Sequence, residues 1–186
     1  MWVLDTTFLW GVSSVGLLEM VLGYAAGRLR VTEVVYGEMV RRAPTRPFLK
    51  TVIKAVDAGR IEKVIPTRPE QQLALALHSS LWLRSPKSAK DLGEAETIAV
   101  AGSRGWHAVI DEKKARLVLP MRFPASDCYC TPQVMLALAE ANQITLELAY
   151  DKLQAMTRAP NFQHEFAGKS KAKWMQARSF YGPVRF

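Results

Sequence analysis

The sequence predicts an α/β fold, with a mostly parallel central sheet covered by helices on both faces. Short apolar runs alternate with helical stretches along the chain, and two of these runs end in an aspartate and lead into a helix. There is no internal repeat. A length of 186 residues accommodates one compact domain but not two of ordinary size, so we expect a domain over residues 1–158 and a C-terminal extension over 159–186.

Trp2 to Leu4 reads as the first strand, stopped by Asp5 and two threonines. Val12, Val15, Leu17 or Leu18, Val21 and Leu22 then recur at three- and four-residue spacing, an apolar stripe along a helix. Thr32 is placed to cap a second helix, with Val34, Val35 and Met39 on its apolar side and Pro44 at its end. Pro47 to Ala58 reads as a helix closed by Gly59, Ile61 to Ile65 as a strand bounded by Pro66, and Glu70 to Leu83 as a long helix. After a Pro- and Lys-bearing loop from Ser85 to Ala89, the small residues from Gly93 to Ala101 make a helix able to pack closely on a sheet. His107 to Ile110 is the next strand, ending at Asp111 as the first ended at Asp5. Lys113 to Leu119 supplies a helix, Cys128 to Cys130 a last strand, and Thr131 to Ala141 and Glu147 to Met156 two closing helices.

The hydrophobic run from Phe8 to Ala26 contains Glu19 and several Gly and Ser residues and has no basic leader, so it reads as buried structure rather than a membrane span. Cys128 and Cys130 flank a single residue, too close for a useful disulfide loop, and His78, His107 and His164 are scattered singly. A disulfide framework and a closed zinc site are therefore not expected, and a reducing cytoplasm is. The net charge of +8 favours a polyanionic partner, because cations that neutralise phosphates release condensed counterions.

In an open parallel sheet, ligands bind beyond the carboxyl ends of the strands. Asp5 and Asp111 stand at two such ends, and Glu38 and Glu94 on nearby helices can join them if the strands are neighbours. Carboxylates drawn together repel unless a cation sits between them. Oxygen ligands suit Mg²⁺ or Mn²⁺, which points to hydrolysis of a phosphodiester by metal-activated water. Each acid also has a plainer role: Asp5 and Asp111 as helix caps, Glu38 as a solvated helix residue, and Glu94 as a complement to a helix dipole.

Four stretches carry a family resemblance. Val3-Leu4-Asp5-Thr6-Thr7, Tyr36-Gly37-Glu38, the run from Leu92 to Ala99 through Gly93-Glu94-Ala95-Glu96, and Val109-Ile110-Asp111-Glu112 followed by Ala115-Arg116 resemble, in order and approximate spacing, the signature stretches of PIN-domain proteins. The resemblance spans roughly residues 1–158. It implies a three-layer α/β/α sandwich and an Mg²⁺- or Mn²⁺-dependent endoribonuclease, often the toxin of a toxin–antitoxin pair. It assigns Asp5, Glu38, Glu94 and Asp111 as catalytic acids, with Asp5, Glu94 and Asp111 as metal ligands and Thr7 as support for the first aspartate. It further implies an RNA substrate, a small antitoxin protein and a homodimer. Two departures leave alternatives: Glu94 stands where many relatives have Asp, so Glu96 is a second candidate for the inward-facing acid, and Glu112 is a substitute or a helper where the fourth stretch lacks the Thr-x-Asp form of the toxin subgroup. A catalytically silent module binding RNA or protein, and a nuclease acting on DNA, are the competing readings.

Basic residues flank the proposed acids. Arg41, Arg42, Arg46, Lys87 and Lys90 are candidates for a substrate rim or for ordinary solvated surface. The tail carries Lys169, Lys171, Lys173, Arg178 and Arg185 among Phe162, Phe166, Trp174, Phe180 and Tyr181, a composition suited to stacking bases, to packing on the domain or to docking on a partner.

Overall fold

A computed structural model describes residues 1–81, 92–158, 166–176 and 184. The expected loop from Ser85 to Ala89, Lys87, Lys90, Leu83, Phe162, His164, Arg178, Phe180, Tyr181 and Arg185 lie outside these residues.

Five parallel strands form one sheet: β1 (Trp2–Leu4), β2 (Leu29–Thr32), β3 (Glu62–Val64), β4 (His107–Val109) and β5 (Cys128–Tyr129), in the order β3-β2-β1-β4-β5. β1 is central. Its residues Trp2 and Leu4 pair with His107 and Val109 on one side, and Trp2 pairs with Leu29 on the other. Side chains alternate between the two faces, as the pleat requires. Trp2, Leu4, Val31 and Val109 enter one apolar cluster, whereas Val3, Val64, Ala108 and Ile110 enter another.

The second cluster lies under α5 (Arg68–Leu81), α6 (Leu92–Ser103) and α7 (Lys113–Arg122). The first is covered by α1 (Thr6–Ser14), α2 (Leu18–Tyr24), α3 (Glu33–Arg42), α4 (Leu49–Asp57), α8 (Thr131–Glu140), α9 (Leu146–Met156) and the short α10 (Lys171–Met175). This is the α/β/α sandwich, with every strand pairing parallel among the described residues.

The structure departs from the sequence reading in three places. The stripe from Val12 to Leu22 is two helices, α1 and α2, bent by 117° at a break where Gly16 takes a φ of 75°. Only glycine adopts that left-handed backbone without strain. Among the described residues no single helix is long and apolar enough to cross a membrane. β2 is absent from the reading because its arginine disguises a strand. Arg30 is buried, its guanidinium donating to the carbonyls of Gly27 and Leu29 and pairing with Glu62 at 2.8 Å. Lastly, α10 is a helix that the sequence reading lacks, and it realises one of the alternatives offered for the tail, packing on the domain: Trp174 is fully buried and its indole N–H donates to the Pro132 carbonyl at 2.9 Å.

The start of α5 is secured twice. Thr67 and Glu70 form a reciprocal capping box, the Glu70 carboxylate accepting from the Thr67 N–H at 2.7 Å and Thr67 Oγ1 accepting from the Glu70 N–H at 3.5 Å. Arg104, just past α6, clamps the same carboxylate at 2.7 and 2.9 Å. The guanidinium holds Glu70 down at about 2, against burial, which pushes the other way.

Candidate active site

The site grows from three neighbouring strand ends. Asp5 follows β1, Asp111 follows β4, and Thr131 follows β5. The Asp5 N–H donates to the Val109 carbonyl at 3.0 Å, so the central strands stay paired up to the point where the acids begin.

Asp5 is 2% exposed and caps α1, one carboxylate oxygen accepting from the Thr7 N–H at 3.1 Å. Burial pushes its carboxyl up to about 7; the backbone N–H groups of Thr7 and Thr6 oppose this, while the charges of Glu38 and Asp111 add to it. A cap on the surface would cost none of this. The residue that caps the helix is thus also the one that Glu38 and Asp111 crowd with charge.

Glu38, on the second turn of α3, reaches across to α1, where the Thr6 hydroxyl donates to it at 2.8 Å. Its carboxylate also lies against α6: a β-carbon on Gly93 would stand 3.4 Å from Glu38 Oε1. Glu94, the next residue along, is half-buried. Asp111 is gripped through both oxygens by Thr131, from the backbone N–H at 2.8 Å and from the hydroxyl at 2.6 Å.

The remaining candidates have other partners. Thr7 supports Asp5 through its backbone N–H. Glu96, buried on α6, accepts from the Val34 N–H at 3.1 Å and from the Thr32 hydroxyl, so its carboxylate serves the start of α3. Burial pushes its carboxyl up, and those two donors pull it back. Glu112 caps α7, accepting from the Ala115 N–H at 2.7 Å. Cys128 and Cys130 are free thiols, and burial holds the Cys128 thiol far above its ordinary value.

The sequence reading gives Thr6 and Thr131 no part in the site. A threonine directly after a strand and at a helix start, as in Cys130-Thr131-Pro132, marks the same sheet edge as Asp5 and Asp111, and that signal was available for Thr131.

The donors facing this end are carboxylate and hydroxyl oxygens, the chemistry that suits a hard divalent cation. Among the described residues no three His, Cys, Asp or Glu side chains are grouped to hold an ion. Mg²⁺ keeps several waters and binds through one or two carboxylates together with substrate phosphates, so a three-carboxylate cage is not required. The buried, charge-crowded Asp5 fits such an ion, because a cation offsets the repulsion that Glu38 and Asp111 impose.

No curated protein and no solved structure matches the chain. Residues 1–162 match a domain-family model, DUF3368, described as a PIN domain, a nuclease-type fold. With most of its length matched and its sheet and helices arranged as described, the chain belongs to the PIN-domain family.

Proposed function

We propose that this protein is a divalent-metal-dependent endoribonuclease. The observation that carries the proposal is Asp5, a buried carboxylate at the end of the central strand, held beside the charges of Glu38 and Asp111.

Asp5 and Asp111 would hold Mg²⁺ or Mn²⁺ together with waters and substrate phosphate, and Glu94 is the third ligand that the family resemblance implies. When bound, the ion supplies a Lewis acid that lowers the pKa of water and offsets charge on the phosphate oxygens. Thr131 fixes the Asp111 carboxylate in place, and the Thr6 hydroxyl does so for Glu38. Glu38 keeps a carboxylate oxygen free of the Thr6 bond, suited to orienting the attacking water and accepting its proton. The net charge of +8 favours the nucleic acid backbone. The family resemblance extends the proposal to a small antitoxin that neutralises the enzyme and to a homodimer, and the chain's two cysteines, too few for a disulfide framework, leave a reducing cytoplasm as the proposed compartment.

The test is a panel of labelled single-stranded RNA and DNA incubated with the full chain in Mg²⁺, Mn²⁺ or EDTA. Cutting of RNA in either metal and none in EDTA is expected. Preferential cutting of DNA would move the substrate class. Metal binding without cleavage of either would replace the enzyme with a silent binding module.

A further inference from the structure

The helices that bring Thr6 to Glu38 also meet one turn further on. Trp10 follows Thr6 by four residues on α1, and Arg42 follows Glu38 by four on α3, so each lies on the same helical face as its predecessor. The Arg42 guanidinium lies 5.6 Å from the centre of the Trp10 ring, and Arg46, from the segment after α3, lies 5.1 Å from it. Trp10 is 5% exposed and packs against Phe48, so the indole is a fixed platform in reach of two cations.

This arrangement lacks what normally neutralises it. Among the described residues, neither Arg42 nor Arg46 forms an ion pair with a carboxylate, nor does exposed Arg41 beside them. The Nε atom of Arg46 and the indole Nε1 of Trp10 are both buried without a hydrogen-bond partner. Like charges gathered on one ring repel, and the ring face compensates only part of that. An anion bridging the two guanidiniums would remove the repulsion, and Arg presents a planar fork that matches phosphate oxygens.

We propose that Trp10, Arg42 and Arg46 form a backbone-phosphate clamp for single-stranded RNA, holding the strand one helical turn from the Thr6–Glu38 hydrogen bond. The choice of RNA as occupant rests on the nuclease reading. The clamp engages phosphate and not bases, so it adds affinity and register without sequence preference.

The test measures binding of a short labelled single-stranded RNA by fluorescence anisotropy in EDTA, where cleavage does not interfere, across a KCl series. Arg42→Gln/Arg46→Gln is compared with wild type and with Arg28→Gln/Arg60→Gln, which removes the same charge elsewhere on the molecule. Thermal melts confirm folding of each. The clamp predicts a fall of roughly tenfold or more in affinity, and a salt slope shallower by about 0.7 for each phosphate no longer neutralised, in the first variant alone. Trp10→Phe keeps the charges and weakens the platform, so affinity drops several-fold with the slope retained. Equal effects from both arginine pairs would overturn the clamp. Clamp-dependent binding by a wild type that never cuts would sink the nuclease reading alone; metal-dependent cutting with an unchanged salt slope in the Arg42→Gln/Arg46→Gln variant would sink the clamp alone.

Discussion

Asp5 meets two opposed demands, since the fold buries it and the proposed metal chemistry requires it charged. Asp5→Asn keeps the α1 cap, because asparagine caps as well as aspartate, but removes the buried charge that Glu38 and Asp111 repel. In EDTA at pH 8 this variant is expected to melt higher than wild type by roughly 2 °C or more, and scanning calorimetry checks it. A lower melting point would mean that Asp5 contributes to the fold chiefly as an ionised group. Thr131→Val removes the hydroxyl bond to Asp111 and keeps the backbone one. Its turnover is expected to fall roughly 10–100-fold with little change in melting temperature, the size of effect typical of residues that orient a ligand. At this scale the places of Asp5 and Asp111 at strand ends were legible, because aspartate after an apolar run is a sparse local signal. The hydroxyls that orient them were not, since Thr6 meets Glu38 across 32 positions of sequence and Thr131 meets Asp111 across 20.

Among the elements, α5 and α6 are joined at Glu70 and Arg104. The folded carboxyl sits at about 2 against an ordinary 4.5, so the pair contributes fully above about pH 4.5 and its contribution disappears as the pH falls through 2. Glu70→Gln should therefore cost about 1–2 kcal/mol in urea unfolding at pH 7, and the gap to wild type should narrow towards pH 2; a gap independent of pH would assign the loss to capping alone. On α6, a β-carbon at Gly102 would come within 2.3 Å of the Phe123 ring. Gly102→Ala should destabilise by about 1–3 kcal/mol, although alanine is the better helix former. An unchanged midpoint would show that Phe123 moves aside freely. Most helices were legible from their spacing and stops, as with Thr32 ahead of α3 and Gly59 after α4. β2 was not, because a strand buried on both sides is recognised by continuous apolar residues, and Arg30 breaks the run while hiding its charge against carbonyls and Glu62.

Across the whole molecule, the strand order placed Asp5 and Asp111 side by side, which the sequence could offer only as a condition. The tail was harder to read. Its aromatic and basic residues fit RNA binding or packing equally well in composition, and only the fold seats Trp174 under the Pro132 carbonyl. Trp174→Ala is expected to lower stability by about 3–5 kcal/mol, read by chemical denaturation, and a chain ending at Arg158 should lose as much. If the shortened chain proves as stable as the full one, Trp174 caps the surface of a core that stands without it. The larger claim is that the carboxylates at the ends of β1 and β4 serve phosphodiester hydrolysis. Its most direct test is cleavage of labelled single-stranded RNA by wild type and by folded Asp5→Asn, each in Mn²⁺ and in EDTA. Wild type should cut in Mn²⁺ alone, and the variant should lose activity on the order of 10²-fold or more; equal cutting by the two proteins, or cutting that persists in EDTA, would rule out metal-dependent hydrolysis at Asp5.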